Sequence, residues 1–338
     1  MVSVGIDLHR RRSDLVGVDG LGGVVWKHRI SSSPADFLRV FGELEPESFE
    51  VAFEATYGWG WLADLLQDAG IPAHMSHPLA TKAISSARVK NDTVDATTLA
   101  QLLRTHLLPE AWIAPPEARE ARRLVRSRAA LVRIRSRLRC QVHAVLADHG
   151  ITPEMSDLFG AGGRRFLAEV SLPPLSLNRI TSCLRLIDAL AAELDSVDQE
   201  MRVVFRDHPA LPRLIRIPGV GFIAAATVIA EVWDVSRFRH AEQLCSWAGL
   251  TPTERSSAEH TRRGHISKQG SRWLRWIMVE AATNHTGRAS DLRQFEVRIA
   301  RRRGLKIARL ALARRLLTLC FYALRDPEGC AAYPLVAA

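Results

Sequence analysis

At 338 residues with 47% hydrophobic side chains, the chain is long enough for two or three domains with cores of their own. No apolar run reaches the roughly 18 residues that span a bilayer, no signal-peptide pattern opens it, and its five cysteines (Cys140, Cys183, Cys245, Cys320, Cys330) form no C-x-x-C pair. This predicts a cytoplasmic protein with free buried thiols, no membrane, no disulfide framework and no zinc site. The net charge of +10 is lopsided: residues 1–110 hold ten Lys+Arg against fourteen Asp+Glu, and the remainder thirty-six against twenty-two. An acidic head on a basic body suits a metal-binding domain carried by segments that neutralise nucleic acid, although a solvated basic surface is the plainer alternative.

In chain order, 2–8, 15–18 and 24–30 read as short strands of an antiparallel meander, its last turn marked by Gly20, Gly22 and Gly23. Ser33-Pro34 opens a helix through Leu44. A strand over 49–53, a helix over 60–69, a strand over 71–75, a small helix or loop over 78–87 and a helix over 92–107 follow, an alternation that means an α/β layer. Asp92 and Asp95, three apart at the opening of the last helix, project from one face and repel unless a cation sits between them. Magnesium is the usual answer, because it takes carboxylate oxygens and leaves room for phosphates. Asp7 and Glu54, each ending an apolar strand-like run, are candidates to join them.

An acid on the first strand of a meander, another on the fourth strand and two on the closing helix resemble the acidic tetrad of the RuvC branch of RNase H-like nucleases. The resemblance implies two magnesium ions held by Asp7, Glu54, Asp92 and Asp95 that activate the attacking oxygen and steady the leaving one. Gly5-Ile6-Asp7 also opens the actin-like ATPase and sugar-kinase fold, but Leu8-His9-Arg10-Arg11-Arg12 follows, with no glycine before Gly17 to build a phosphate loop.

After Pro115-Pro116 the composition shifts. Residues 117–149 read as one helix with Leu124, Leu131, Leu138 and Val145 spaced by sevens, among arginines that include Arg122, Arg126, Arg133 and Arg137, read as phosphate contacts to DNA or RNA. A second helix over 177–205 carries Ile180, Leu184, Ile187, Ala191, Leu194 and Met201. Together they predict a coiled-coil hairpin, within one chain or between subunits, with 152–174 as its tip. Further on, Ile217-Pro218-Gly219-Val220-Gly221 before a helix over 222–232 resembles the hairpin of helix-hairpin-helix modules, where Gly219 and Gly221 permit a tight turn and exposed N–H groups hold a phosphate; an ordinary helix–helix turn fits equally.

The run from Leu250 to Arg275 contains Ser256-Ser257, Lys268, Gly270, Arg272 and Arg275. Taken with the acidic head, the earlier Pro218-Gly219 hairpin and the A-G-L-x-P step at Ala248-Gly249-Leu250, this run's serine and its lysine-glycine turn into an arginine-bearing helix resemble the insertion-sequence one-ten family of transposases, relatives of the Piv-type DNA invertases. The later run from Phe295 to Leu317, with Arg301-Arg302-Arg303-Gly304-Leu305-Lys306 before Ala308 and Arg314, also resembles that family's closing helix. The resemblance implies a recombinase that cuts and rejoins DNA through a covalent serine–phosphate link beside the magnesium ions. Ser257 matches the family serine, but Ala258 stands where the family has glycine, which leaves Ser256 as the alternative. It also implies a structured guide RNA, a homodimer or homotetramer, and phosphate binding by Lys268, Arg272 and Arg275.

The expected architecture is an α/β RNase H-like domain over 1–110, a helical coiled-coil hairpin over 117–207 and a mainly α domain with the hairpin-like element over 209–327. A hydrolytic RuvC-like junction resolvase and a non-catalytic nucleic-acid-binding scaffold are the competing functions.

Overall fold

The computed structural model describes residues 1–45, 48–84, 92–257, 260–285 and 291–326, with the backbone alone over 255–257 and 260–263. It divides into two compact units, Met1–Pro116 and Glu117–Ala338. The arginine-rich helix therefore shares a unit with the C-terminal helices instead of standing as a domain between them.

The first unit runs β1 (Val2–Leu8), β2 (Arg12–Val18), β3 (Val24–Ser31), α1 (Pro34–Gly42), β4 (Phe49–Glu54), α2 (Trp59–Asp68), β5 (Ala73–Ser76), α3 (Pro78–Ile84), α4 (Asp92–Arg104) and β6 (Glu110–Ala111). Its sheet has the order β3-β2-β1-β4-β5-β6. The first three strands form the expected antiparallel meander, β4 lies parallel to β1 and β5 to β4, and β6 returns antiparallel. Ser33 caps α1, its Oγ accepting from the Asp36 N–H, with Pro34 at the first helical position. Residues 85–91, which include the end of the expected 78–87 element, lie outside the described residues.

Strand periodicity decides what each face of this sheet meets. Val4, Ile6, Leu8, Leu15, Val51 and Phe53 share a core with Phe37 and Phe41 of α1 and Leu62 and Leu66 of α2. The alternate residues meet α4: Val16 and Val18 pack on Ala96 and Ala100, and Ala52 packs on Leu99 and Leu103. Between them Gly5 receives the helix. A Cβ there would collide with the carbonyl oxygen of Ala96 and lie 2.7 Å from the backbone N of Ala100. A side chain of any size on β1 at this point would hold α4 away from the sheet.

The second unit comprises α5 (Pro116–Asp148), α6 (Ala161–Glu169), α7 (Pro174–Phe205), α8 (Leu211–Ile215), α9 (Phe222–Val232), a 3-10 turn (Val235–Arg237), α10 (Ala241–Trp247), β7 (Pro252–Ser257), β8 (His260–Ile266), α11 (Arg272–Thr283), α12 (Asp291–Arg303) and α13 (Leu305–Arg325). Its main core is built around α9, whose residues from Ala224 to Val232 are all buried, and includes Leu274, Met278, Leu316 and Phe321. Ala121 and Val125 of α5, with Met201 and Phe205 of α7, belong to the same core, which is why the long helices do not form a separate domain.

The two long helices form as the spacing predicts, but their burial is not one continuous seam. Val142, Val145 and Leu146 make a second cluster with Leu158, Leu167, Ile180 and Cys183. Between the clusters Leu131 and Leu138 are half-buried, and Ile134 and Leu186 are exposed. The expected hairpin tip contains α6, fixed to α7 by an Arg164–Asp188 ion pair. Cys183, Cys245 and Cys320 are buried as expected, whereas Cys140 is exposed. No helix among the described residues is long and apolar enough to cross a membrane.

Candidate metal centre and nucleic-acid interface

Asp7 lies two residues after Gly5 on β1, and so on the face that α4 covers. The contact at Gly5 lets the first turn of α4, which carries Asp92 and Asp95, reach the end of that strand. Ile6 pairs with Phe53 across the parallel β1–β4 ladder, so the register carried one residue further sets Glu54 beside Asp7. Asp7 and Asp92 converge, and Asp95 is near enough for its charge to act on Asp7.

The tightest group differs from the expected tetrad by including an imidazole. Asp7, His9 and Asp92 each offer a donor atom, all within 4.8 Å of one another. His9 Nε2 lies 3.2 Å from Asp7 Oδ2 and 3.4 Å from Asp92 Oδ1. Sequence reasoning passed over His9 as part of a basic run. Its signal was the i, i+2 spacing from Asp7, which returns a side chain to the same sheet face.

One acid was also missed. Asp14 pairs with Asp7 across β1 and β2 and is buried on the α4 side. The Nε of Arg29 donates to both its oxygens, at 3.2 and 3.1 Å, and the Thr93 hydroxyl donates to it at 3.2 Å. The same guanidinium reaches Asp92 Oδ2 at 3.6 Å. Asp14, Arg29 and Thr93 thus fasten the start of α4 to the meander and leave Oδ1 of Asp92 turned towards His9 and Asp7.

Burial holds the Asp7 carboxyl above its ordinary range, and the charges of Asp92 and Asp95 push it the same way, against the opposing effect of His9. A half-buried carboxylate among like charges is costly without a cation, and hard oxygen donors suit magnesium. The residues therefore fit a divalent ion.

Candidate phosphate contacts sort by their partners. Arg122 donates to the carbonyls of Ala230 and Glu231 at 3.1 and 2.8 Å, and burial pulls its pKa down. Arg126 holds both oxygens of the fully buried Glu231, at 2.7 and 2.9 Å, and Ser271 Oγ donates to the same carboxylate. Arg275 donates to the Ala248 carbonyl at 2.8 Å. These three expected phosphate ligands are engaged within the protein: Arg122 and Arg126 join α5 to the end of α9, where Arg126 and Ser271 partner the buried Glu231 charge, and Arg275 joins α11 to the end of α10.

Arg133, Arg137, Lys268 and Arg272 are exposed. The guanidiniums of Arg133 and Arg272 lie 5.2 and 4.8 Å from the ring centroid of Trp273, a cation–π cluster on the surface.

Gly219 has φ +86°, and a Cβ there would sit 2.6 Å from the Ala281 carbonyl oxygen, so glycine is required. Gly221 is different: its extended backbone, φ −79° and ψ 179°, is open to any residue. The turn borders a cavity of about 610 Å³ lined also by Arg202, Phe222, Glu280 and Asn284. Ser256 and Ser257 lie at the end of β7, paired with Thr261 and His260 of β8.

Two family models match. Residues 4–151 match DEDD_Tnp_IS110, described as a transposase, and residues 211–296 match the model described as the Transposase IS116/IS110/IS902 family. The chain is 31% identical over 290 residues to y4qE of Sinorhizobium fredii, which carries the name of a transposase, covering 82% of this chain and 70% of the relative. It is 26% identical over 324 residues to the transposase for insertion sequence element IS1111A of Coxiella burnetii, covering 92% and 86%. Over 335 residues it is 25% identical to the transposase-named y4pF/y4sB of Sinorhizobium fredii, covering 97% and 85%. The mixed sheet with its DEDD domain fits an RNase H-like fold, and such a domain implies divalent metal, typically magnesium. With both family models matched and similarity running along nearly its whole length, the chain belongs to the IS110/IS116/IS902 family of insertion-sequence transposases.

Proposed function

We propose that this transposase cuts and rejoins the DNA of a mobile element at a magnesium centre held by Asp7, Glu54, Asp92 and Asp95, with Ser257 of the second unit, or Ser256 beside it, as nucleophile. The observation that carries this is the convergence of Asp7 and Asp92 where α4 meets β1, with Asp95 acting on the same carboxylate. Magnesium there supplies positive charge to a phosphate whose negative charge grows in the transition state.

The protein's own groups do the rest. The serine hydroxyl gives up its proton as its oxygen attacks a backbone phosphorus, the bond from phosphorus to the departing sugar oxygen breaks, and that oxygen takes up a proton and leaves as a hydroxyl, with no net change in protons. The Ser–O–P link keeps the phosphate activated until another strand's hydroxyl displaces the serine. Arg133, Arg137, Lys268 and Arg272, exposed and cationic, are the side chains we assign to the DNA backbone, with the glycine turn before α9 as a further phosphate cradle. Arg122, Arg126 and Arg275 are left out of that set because protein groups hold them.

We extend the proposal to a structured guide RNA, whose phosphates the same basic surface suits, and to a homodimer or homotetramer. The exposed Ile134 and Leu186 of the long helices are consistent with a second chain there.

The test changes Asp7, Asp95 and Ser257 singly to alanine and follows a protein-linked DNA species in the presence of magnesium. Loss of the link in all three variants is expected. A Ser257→Ala protein that still cuts, repeated with Ser256→Ala, would point to hydrolysis by water; a wild-type protein that binds but never cuts would make it a scaffold. Partial recovery on mixing acid-null and serine-null chains is expected if a site is shared between subunits.

A further inference from the structure

We propose that His9 is a nitrogen ligand of the ion that Asp7 and Asp92 hold, and that it biases the centre towards ions that accept imidazole, manganese among them, relative to magnesium. This rests on the metal centre proposed above and adds a residue that a purely acidic tetrad does not contain.

Three observations carry it. The first is spacing. Donors in adjacent positions around an octahedral ion with bonds of about 2.0–2.1 Å lie about 3 Å apart. His9 Nε2 is 3.2 Å from Asp7 Oδ2 and 3.4 Å from Asp92 Oδ1, and the three donors form a tight cluster at the C-terminal end of β1.

The second is the division of labour at Asp92. Its Oδ2 faces Arg29, which Asp14 holds by both oxygens, while its Oδ1 faces His9. The carboxylate is thereby presented to the ion by one oxygen. The third is position: His9 follows β1 directly, two residues from Asp7, with its side chain 53% exposed at the rim. It can close one side of the centre without filling the room that a phosphate needs. Imidazole suits ions such as zinc, copper, iron and nickel, whereas carboxylate, carbonyl and water oxygen suit magnesium and manganese; of those two, manganese, a first-row transition ion, is the one that also accepts a nitrogen donor.

The opposing account is that His9 is a counter-cation to the two acids and competes with the ion. The two predict opposite signs. Full-length wild type, His9→Ala, His9→Gln and Asp7→Asn are titrated with manganese and with magnesium by calorimetry under identical buffer conditions. Pulsed electron paramagnetic resonance on the bound manganese reads coupling to imidazole nitrogen.

Both His9 variants are expected to lose at least about ten-fold in manganese affinity and less in magnesium affinity, and to lose the nitrogen coupling. Because His9 is largely exposed, the variants are expected to keep the wild-type circular dichroism. Unchanged or tighter manganese binding in the His9 variants, or no nitrogen coupling in wild type, would overturn the assignment. Where Asp7→Asn still abolishes binding, only the role of His9 has failed. A wild-type protein that binds neither ion would overturn both the assignment and the metal centre beneath it.

Discussion

Replacing Gly5 with alanine tests whether the close approach of α4 to β1 builds the centre. Two effects oppose each other. Alanine in a strand loses less backbone freedom on folding than glycine, worth about 0.5–1 kcal/mol in its favour. Against this, the new Cβ would collide with the Ala96 carbonyl oxygen and lie 2.7 Å from the Ala100 N, both backbone atoms that no rotamer change can move aside. Forcing an extra methyl into a packed core costs about 1–3 kcal/mol, with the upper end expected because helix backbone must shift. The clash therefore wins by about 1–2 kcal/mol.

The functional effect should exceed the loss of stability. Restoring ordinary contact moves α4 outward by on the order of 1 Å, and with it Asp92 and Asp95, and a misplacement of that size can cost about 10²-fold in rate. Hydrogen exchange of peptides from β1 and α4 reads the local loosening, calorimetry reads metal binding, and strand cleavage reads rate. A Gly5→Ala protein with wild-type exchange and undiminished metal affinity would refute the claim that this contact positions the acids.

Asp14→Ala removes the buried carboxylate that orients Arg29 and Thr93, and should cost about 1–3 kcal/mol in urea unfolding while weakening metal binding through Asp92. Glu231→Ala leaves Arg126 facing a fully buried void, and is expected to cost about 3 kcal/mol, the low end for a broken buried pair because Arg126 is 41% exposed. Combining it with Arg126→Met should recover part of that loss; a strictly additive double variant would contradict the pairing. For Asp7, the raised pKa means that its protonated form favours the folded state. Its contribution is fully present below the unfolded pKa and falls as pH rises through the folded one. Metal-free Asp7→Asn should therefore gain thermal stability relative to wild type on going from acid to neutral pH, while magnesium, which stabilises wild type by about 2.7 kcal/mol at a hundred times its Kd, should no longer do so. A thermal shift with magnesium that survives in Asp7→Asn would contradict its role.

Much of this protein was legible in its residues because the relevant signals are local. Alternation of apolar residues marked β1 and β4, and Ser33-Pro34 marked the start of α1. The i, i+3 spacing placed Asp92 and Asp95 on the first turn of α4. The seven-residue spacing from Leu124 to Val145 fell on one long helix, but it did not reveal that burial there breaks into two clusters. Whether a spaced leucine is covered depends on what stands opposite it.

The site was less legible for the same reason. His9 looked like one more basic residue until the ladder and α4 put it within 3.4 Å of Asp92, 83 positions away in the chain. Arg122 and Arg126 looked like phosphate ligands because a count of charges says nothing of where a guanidinium can turn. The buried Glu231 and the end of α9 claimed them. The hairpin of β7 and β8 was missed because short polar segments around Ser257 carry no apolar alternation, and pairing with a neighbour makes them strands.

The sequence by itself determined the order of the elements and which acids were available, since periodicity, capping and i, i+3 spacing act within a few residues. Only tertiary structure decided which charges meet. Gly5 looked in sequence like part of a strand, yet its missing side chain is what lets α4 lie on β1 and gather Asp7, His9 and Asp92. Coulomb interaction and ligand geometry depend on ångström distances between residues far apart in the chain, and those distances exist only once the sheet and its covering helix have packed.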